Sequence, residues 1–201
     1  CAAKGVHGLV VISSGFAETG EEGRQRQRRL VGLSRSYGLR LIGPNCLGII
    51  NTDPSVSINA SLSQVMPPRG RAGFFCQSGA LGSAILEKVQ NRGLGLSTFV
   101  SAGNRADVSG NDLLQYWEED DSTEVVLLYL ESIGNPRKFS RIARRVSLRK
   151  PIVAVRSGRT TQGVPMGHAV RKIAAPPAAV DAMFRQAGVI QVDTLEEMFD
   201  V

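Results

Sequence analysis

Glu124-Val125-Val126-Leu127-Leu128-Tyr129-Leu130-Glu131, then Asn135-Pro136, then Pro151-Ile152-Val153-Ala154-Val155, is the stretch whose reading decides the fold. Six apolar or aromatic side chains in a row, closed by charge at both ends, read as a strand buried on both faces. Asn135-Pro136 opens a helix running to about Leu148, since proline in the first helical turn gives up an N–H that has no partner there. The apolar run at Pro151–Val155 is a second strand. Strand, helix and strand at this spacing form a βαβ unit, which implies a parallel sheet with helices on both faces.

The same rhythm extends in both directions. Toward the C-terminus a long loop spans Arg156–Ala175, a helix spans Pro176–Gln186 and is closed by Gly188, and Val189–Val192 is a strand that leads into a helix from Thr194. Toward the N-terminus, Ala72–Cys76 is a strand, Gln77-Ser78-Gly79 a turn and Ala80–Asn91 a helix. Leu96–Val100 is the next strand, followed by a polar loop from Ser101 to Gly110 and a helix at Asn111–Glu119. Five strands from Gly70 onward suit a flavodoxin-like doubly wound sheet, whose ligands sit beyond the carboxyl ends of the strands. Earlier still, Gly8–Ile12 and Leu39–Ile42 are strands on either side of a helix, Thr19–Tyr37, that Gly38 stops in the manner of a C-terminal cap. Asn51–Gly70 reads as a linker with some extended structure and as a domain boundary. The expected division is residues 1–65 and 66–201, with the fold class α/β.

Composition narrows the function. The 201 residues are 42% hydrophobic and 21% charged, the balance of a globular protein and not of a disordered tail. The longest clearly apolar run, Val125–Leu130, is far short of the roughly 20 residues that cross a bilayer, and no leader peptide is visible. Cys1, Cys46 and Cys76 lie far apart with no CxxC pair, which fits a reducing cytoplasm and argues against a disulfide scaffold or a zinc cluster. The net charge of +6 is compatible with nucleic acid, an anionic membrane or a phosphorylated small molecule. With 5% aromatics and no basic stretch interleaved with them, a stacking platform for single strands is not expected. Much of the excess charge lies in Arg24–Arg29 and Arg137–Lys150, each a solvated helix face or a contact for a phosphate-rich ligand.

The chemistry is expected in the strand-end loops. Gln77-Ser78-Gly79 opens a helix, whose unpaired N–H groups suit an anion; the alternative is an N-cap with small residues for packing. Ile12-Ser13-Ser14 and Gly43-Pro44-Asn45-Cys46 offer hydroxyl and N–H groups, or are tight turns only. No histidine neighbours Cys46, so a nucleophilic thiol is disfavoured. The loop Ser101–Asp107 could line the same cleft. His168, flanked by Arg159, Arg171 and Lys172, is a phosphoryl acceptor or a surface histidine. Glu131, just past the strongest strand, orients a histidine ring or approaches a solvated rim.

Taken together, the blocks Val10–Phe16, Ile42–Gly48, Gln77–Gly82, Ser101–Asp107, Tyr129–Glu131 and Arg185–Ile190 resemble the NDP-forming acyl-CoA synthetases. That superfamily includes succinyl-CoA synthetase α subunits and ADP-forming acetyl-CoA synthetases. The resemblance implies the C-terminal half of a Rossmann-like CoA-binding domain followed by a flavodoxin-like ligase domain. It implies that acyl-CoA, phosphate and NDP interconvert with free acid, CoA and NTP through an acyl phosphate and a phosphohistidine. On this reading Ile12, Ser13 and Ser14 hold part of coenzyme A, and Gly43, Pro44, Asn45 and Cys46 line the thioester end. Gln77, Ser78 and Gly79 bind phosphate, Glu131 bonds the active histidine, and His168 lies in the phosphohistidine loop.

ATP or ADP with Mg would enter only through an ATP-grasp partner domain or subunit outside this chain, which is therefore expected to be inactive by itself. The implied partners are a CoA thioester and that domain, with no nucleic acid and no membrane. One departure supports an alternative. His168 is followed by Ala169-Val170-Arg171, where the family's histidine is usually followed by Thr-Gly. A catalytically silent, acyl-CoA-sensing region fused to a lysine acetyltransferase domain fits that departure.

Overall fold

The computed structural model describes residues 1–157 and 176–201, which form two compact units, one of residues 1–69 and 76–109 and the other of 70–75 and 110–201. In the first unit, β1 (Gly8–Val10) and β2 (Arg40–Ile42) pair in parallel with Leu9 opposite Leu41, and α1 (Glu21–Ser36) joins them. Glu21 and Glu22 sit in the first turn of α1 and Arg35 in its last, each placed to oppose the helix dipole. Gly38, at φ +68°, ends the helix, and the Leu39 N–H turns back to the Ser34 carbonyl at 2.9 Å. The helical stop read from the sequence stands where it was expected.

Of the next two strands, one ends at the first residue of the expected linker and the other lies inside it. β3 (Gly48–Asn51) runs antiparallel to both β4 (Ile58–Ser61) and β6 (Leu96–Ser101). β3 and β4 are four residues long, and β4 exposes Ile58 and Asn59, so neither of the two presents the unbroken apolar run that marks a buried parallel strand. The Asp53–Ser57 turn between them supplied the Pro and Ser residues that read as a linker. α2 (Gly79–Asn91) buries Ile85, Leu86 and Val89. A Cβ on its Gly82 would lie 2.9 Å from Leu47 and 3.3 Å from Phe99, so the helix approaches its neighbours as closely as glycine permits.

The second unit holds the βαβ rhythm in full. β5 (Arg69–Cys76), β7 (Val125–Leu130), β8 (Ile152–Arg156) and β9 (Val189–Val192) lie in that order, and β7, β8 and β9 are parallel. Every residue of β8 is buried, as a parallel strand covered on both faces requires. α3 (Gly110–Glu119), α4 (Pro136–Val146), α5 (Pro177–Gln186) and α6 (Leu195–Asp200) supply the cover. Trp117 of α3 is fully buried against Gly73, where a Cβ would stand 2.5 Å from the indole. Phe139 and Phe184 join α4 to α5 with ring centroids 5.6 Å apart.

Asn135 caps α4, its side-chain oxygen accepting the Lys138 N–H at 3.0 Å. Asn135→Ala is expected to cost about 1 kcal/mol, which lowers the melting temperature by about 2–4 °C in a domain of this size. Calorimetric scans of the two proteins check this. Among the described residues no helix is long and apolar enough to cross a membrane.

Candidate functional site

Three strand-end loops converge in the first unit. Past β1 and β2 the Val11 N–H donates to the Ile42 carbonyl at 2.9 Å, and the Asn45 N–H donates to the Ser13 carbonyl at 2.9 Å. The third loop, Ser101–Asp107, is fastened to the second: Asn104 N–H to the Pro44 carbonyl at 2.9 Å and Ala106 N–H to the Gly43 carbonyl at 3.0 Å. The backbones come so close that two glycines are required. Gly43 has φ +97°, and a Cβ there would lie 2.3 Å from the Val11 carbonyl oxygen. Gly103 has φ +51°, and its Cβ would lie 2.1 Å from the Asn45 oxygen and 2.4 Å from the Pro44 oxygen. The Gly43–Pro44 peptide bond is cis.

Polar side chains tie these loops to α1 from behind. Glu18 accepts the N–H groups of Gly15 and Phe16 and the Asn104 amide, while Gln27 accepts from Ala17 N–H and from the same amide. Arg26 donates to the Gly15 carbonyl. Partial burial by itself would raise the Glu18 carboxyl, but the donors from Asn104, Phe16 and Gly15 outweigh it and hold it below the ordinary range. Asp107 shows the same balance. Burial pushes it up, and the bonds from Arg40, the Leu41 N–H and Arg35 bring it below the usual value. Both therefore stay ionised at neutral pH and brace the loops. Ser13 and Ser14 remain exposed on this frame, Ile12 is half-buried, and Gly43 and Pro44 are buried.

Cys46 is 4% exposed, and its thiol donates to the Val11 carbonyl at 3.4 Å. Burial pushes its pKa up to about 11. The thiol is therefore packing, as its lack of a neighbouring histidine implied. Iodoacetamide at pH 8 is expected to label the exposed Cys1 and leave Cys46 unmodified in the folded protein, which mass mapping of the peptides checks. Because the folded-state pKa is raised, this thiol's contribution to stability is full below an ordinary thiol pKa and is lost as pH rises toward 11.

α2 starts beside the second loop: a Cβ on Gly79 would lie 3.5 Å from the Leu47 N and 3.6 Å from the Cys46 carbonyl carbon. Ser78 has extended backbone (φ −91°, ψ 128°), and its hydroxyl accepts the Leu81 N–H at 3.3 Å. The hydroxyl thus serves as the N-cap, one of the two readings open for it. Gln77 and Ser78 are buried.

In the second unit Glu131 is half-buried and follows the last residue of β7. Leu130 pairs with Arg156, and the Ser157 N–H donates to the Leu130 carbonyl at 2.9 Å. Arg156, a buried cation at this strand end with Asp181 at 3.6 Å, carried no sequence signal beyond its place after an apolar run. His168 lies outside the described residues. The bracing role of Glu18, Gln27 and Asn104 was likewise hidden, because they lie up to 86 residues apart in sequence. Among the described residues no group of three or more His, Cys, Asp or Glu side chains could hold a metal ion.

Comparison with known proteins finds a family model and several relatives for this chain. Residues 69–201 fit the model of the succinyl-CoA ligase like flavodoxin domain. The whole chain is 44% identical to 29% of an Archaeoglobus fulgidus acetate–CoA ligase (ADP-forming) I. It is 37% identical to 44% of the Pyrococcus furiosus acetate–CoA ligase (ADP-forming) II α subunit. The solved structure of a Ca. Korarchaeum cryptofilum dinucleotide-forming acetyl-coenzyme A synthetase 1, in complex with phosphate and ADP, superposes on all of it. The TM-score is 0.89 at 37% identity, and the match covers 43% of that chain. The chain thus spans less than half the length of these relatives.

Proposed function

The chain belongs to the succinyl-CoA ligase like flavodoxin domain family, and on that premise we propose that it is part of an NDP-forming acyl-CoA synthetase. The full protein interconverts acyl-CoA, phosphate and NDP with free acid, CoA and NTP. The observation that carries this is the frame of three strand-end loops in the first unit. It exposes Ser13 and Ser14 beside a backbone too tight for any side chain at Gly43 or Gly103. In our reading Ile12, Ser13 and Ser14 hold part of coenzyme A, and Gly43, Pro44, Asn45 and Cys46 line the thioester end. Cys46 contributes shape and not a thiolate.

Phosphate attacks the thioester carbonyl, CoA leaves as the thiol, and an acyl phosphate forms. The imidazole of His168 then displaces the carboxylate from phosphorus, giving free acid and a phosphohistidine. Transfer of that phosphoryl group to NDP regenerates the imidazole. Glu131 accepts the ring's other N–H and supports the developing positive charge. Gln77, Ser78 and Gly79, at the positive end of α2, hold the phosphate. The nucleotide and its Mg are supplied by an ATP-grasp domain or subunit outside residues 1–201. The division into residues 1–65, for the CoA-binding part, and 66–201, for the ligase part, and a cytoplasmic location complete this reading.

The test uses the full-length protein with acetyl-CoA, Mg-ADP and labelled phosphate. ATP should form, and an acid-labile label should map to the peptide carrying His168. Binding of acetyl-CoA without ATP formation or label would favour the acyl-CoA-sensing reading, which the Ala169-Val170-Arg171 departure supports.

A further inference from the structure

The segment Arg137–Lys150 stood out in the sequence for its charge, and the proposed reaction does not use it. Its helix, α4, carries Arg137, Lys138, Arg141, Arg144 and Arg145 and no acidic residue. Two of these cations are neutralised from α3. Arg145 makes two 2.6 Å bonds to Glu118, and Lys138 lies 3.8 Å from Asp112. The other three are exposed, and among the described residues no carboxylate pairs with Arg137, Arg141 or Arg144. They line a groove of about 530 Å³ together with Pro136, Ser140 and Met183 of α5.

Spaced four and three residues apart, the three guanidinium groups share one face of the helix, about 6 Å and about 4.5 Å apart along its axis. Like charges at these spacings repel by a few tenths of a kcal/mol per pair, so the helix favours an anion along the stripe. Leu148, two residues past α4 and 83% exposed, continues the same spacing. The groove follows the flank of the helix, whereas substrates of such sheets bind beyond the strand ends. Its lining is rich in arginine with methionine and proline, and arginine and methionine are enriched at protein interfaces. Among the described residues that line it there is no aromatic ring on which a nucleobase could stack. A second copy of this chain, with net charge +6, would approach against repulsion.

We propose that this face of α4 docks an acidic segment of a partner domain lying outside residues 1–201, with carboxylates spaced to meet Arg137, Arg141 and Arg144. The inference rests on membership of a family whose members extend well beyond this chain, and not on the phosphohistidine reaction. The test is zero-length carbodiimide coupling of the full-length protein in its native assembly, carrying R141K and R144K. The substitutions keep the charge and supply amines that can form an amide with a touching carboxylate.

Coupling between Lys138 and Asp112 serves as the internal control. The expected result is new links from positions 141 and 144 to an acidic peptide outside residues 1–201, reduced at least fivefold in 0.5 M salt as screening shortens the reach of exposed charges. Two results overturn the proposal. In one, the control link forms while positions 141 and 144 link to nothing. In the other, they link only to acids within residues 1–201, whether of the same chain or of a second copy. Because the readout is a covalent map, it is independent of ATP formation and separates this inference from the reaction.

Discussion

Conversion of His168 to alanine should lower acyl-CoA-dependent ATP formation by the full-length protein at least about a thousand-fold, equivalent to about 4 kcal/mol of transition-state stabilisation. It should also remove the acid-labile phosphate. The size follows from the role: an imidazole that forms a covalent phosphoryl intermediate divides one difficult transfer into two, and a methyl group offers no lone pair to accept phosphorus. Water entering the vacated space would hydrolyse the acyl phosphate and would not regenerate a phosphoryl carrier. Initial rates of ATP formation with acetyl-CoA and phosphate, before and after the substitution, decide the matter. Equal rates would end the phosphohistidine role of His168. Acetyl-CoA binding is expected to persist in the variant, because the loops proposed to hold it lie in residues 12–46.

The second large effect is expected at Gly103. Alanine there meets two separate costs. The left-handed backbone at φ +51° costs a Cβ-bearing residue about 1–2 kcal/mol. The Cβ would also stand 2.1 Å from the Asn45 oxygen and 2.4 Å from that of Pro44, both backbone atoms that cannot rotate away. Relief requires the third loop to lift from the second, which breaks the Asn104–Pro44 and Ala106–Gly43 hydrogen bonds.

A total of about 3 kcal/mol is expected, with a melting temperature lower by about 6–12 °C and acetyl-CoA affinity weakened at least tenfold. Gly93 is the control. It has φ +66° but open space around its Cβ position, so Gly93→Ala should show the backbone cost without the collision and leave affinity unchanged. Equal destabilisation by the two substitutions, measured by thermal melting and titration calorimetry, would remove the loop frame as the organiser of the site.

Much of the second unit was legible in the sequence because its strands are buried on both faces. Val125–Leu130 and Ile152–Arg156 had to be nearly all apolar, and a run of that kind is visible without knowing its neighbours. Their crossover helix was equally plain, since Asn135 and Pro136 are local signals. The strands of the first unit obey a weaker rule. β3 and β4 are short, and β4 is half exposed, so β3 is held in place by β6, some 50 residues further along the chain. No local pattern records that partner.

For the candidate site, the amino-acid order by itself marked the loops in which the chemistry is expected, since glycine, serine and proline after an apolar run mark the end of a strand, where ligands of such sheets gather. Only the tertiary structure decided how those loops are held. Asn45 reaches Ser13, Asn104 reaches Pro44 and Glu18, and Asp107 gathers Arg35, Arg40 and Leu41 from residues about 70 positions away. It also decided that the hydroxyl of Ser78 caps its helix and that Cys46 keeps its proton. The physical reason is range. Periodicity and turn chemistry act over a few residues and are written in the local sequence. Hydrogen-bond partners and burial arise only when distant segments come within about 3 Å of each other.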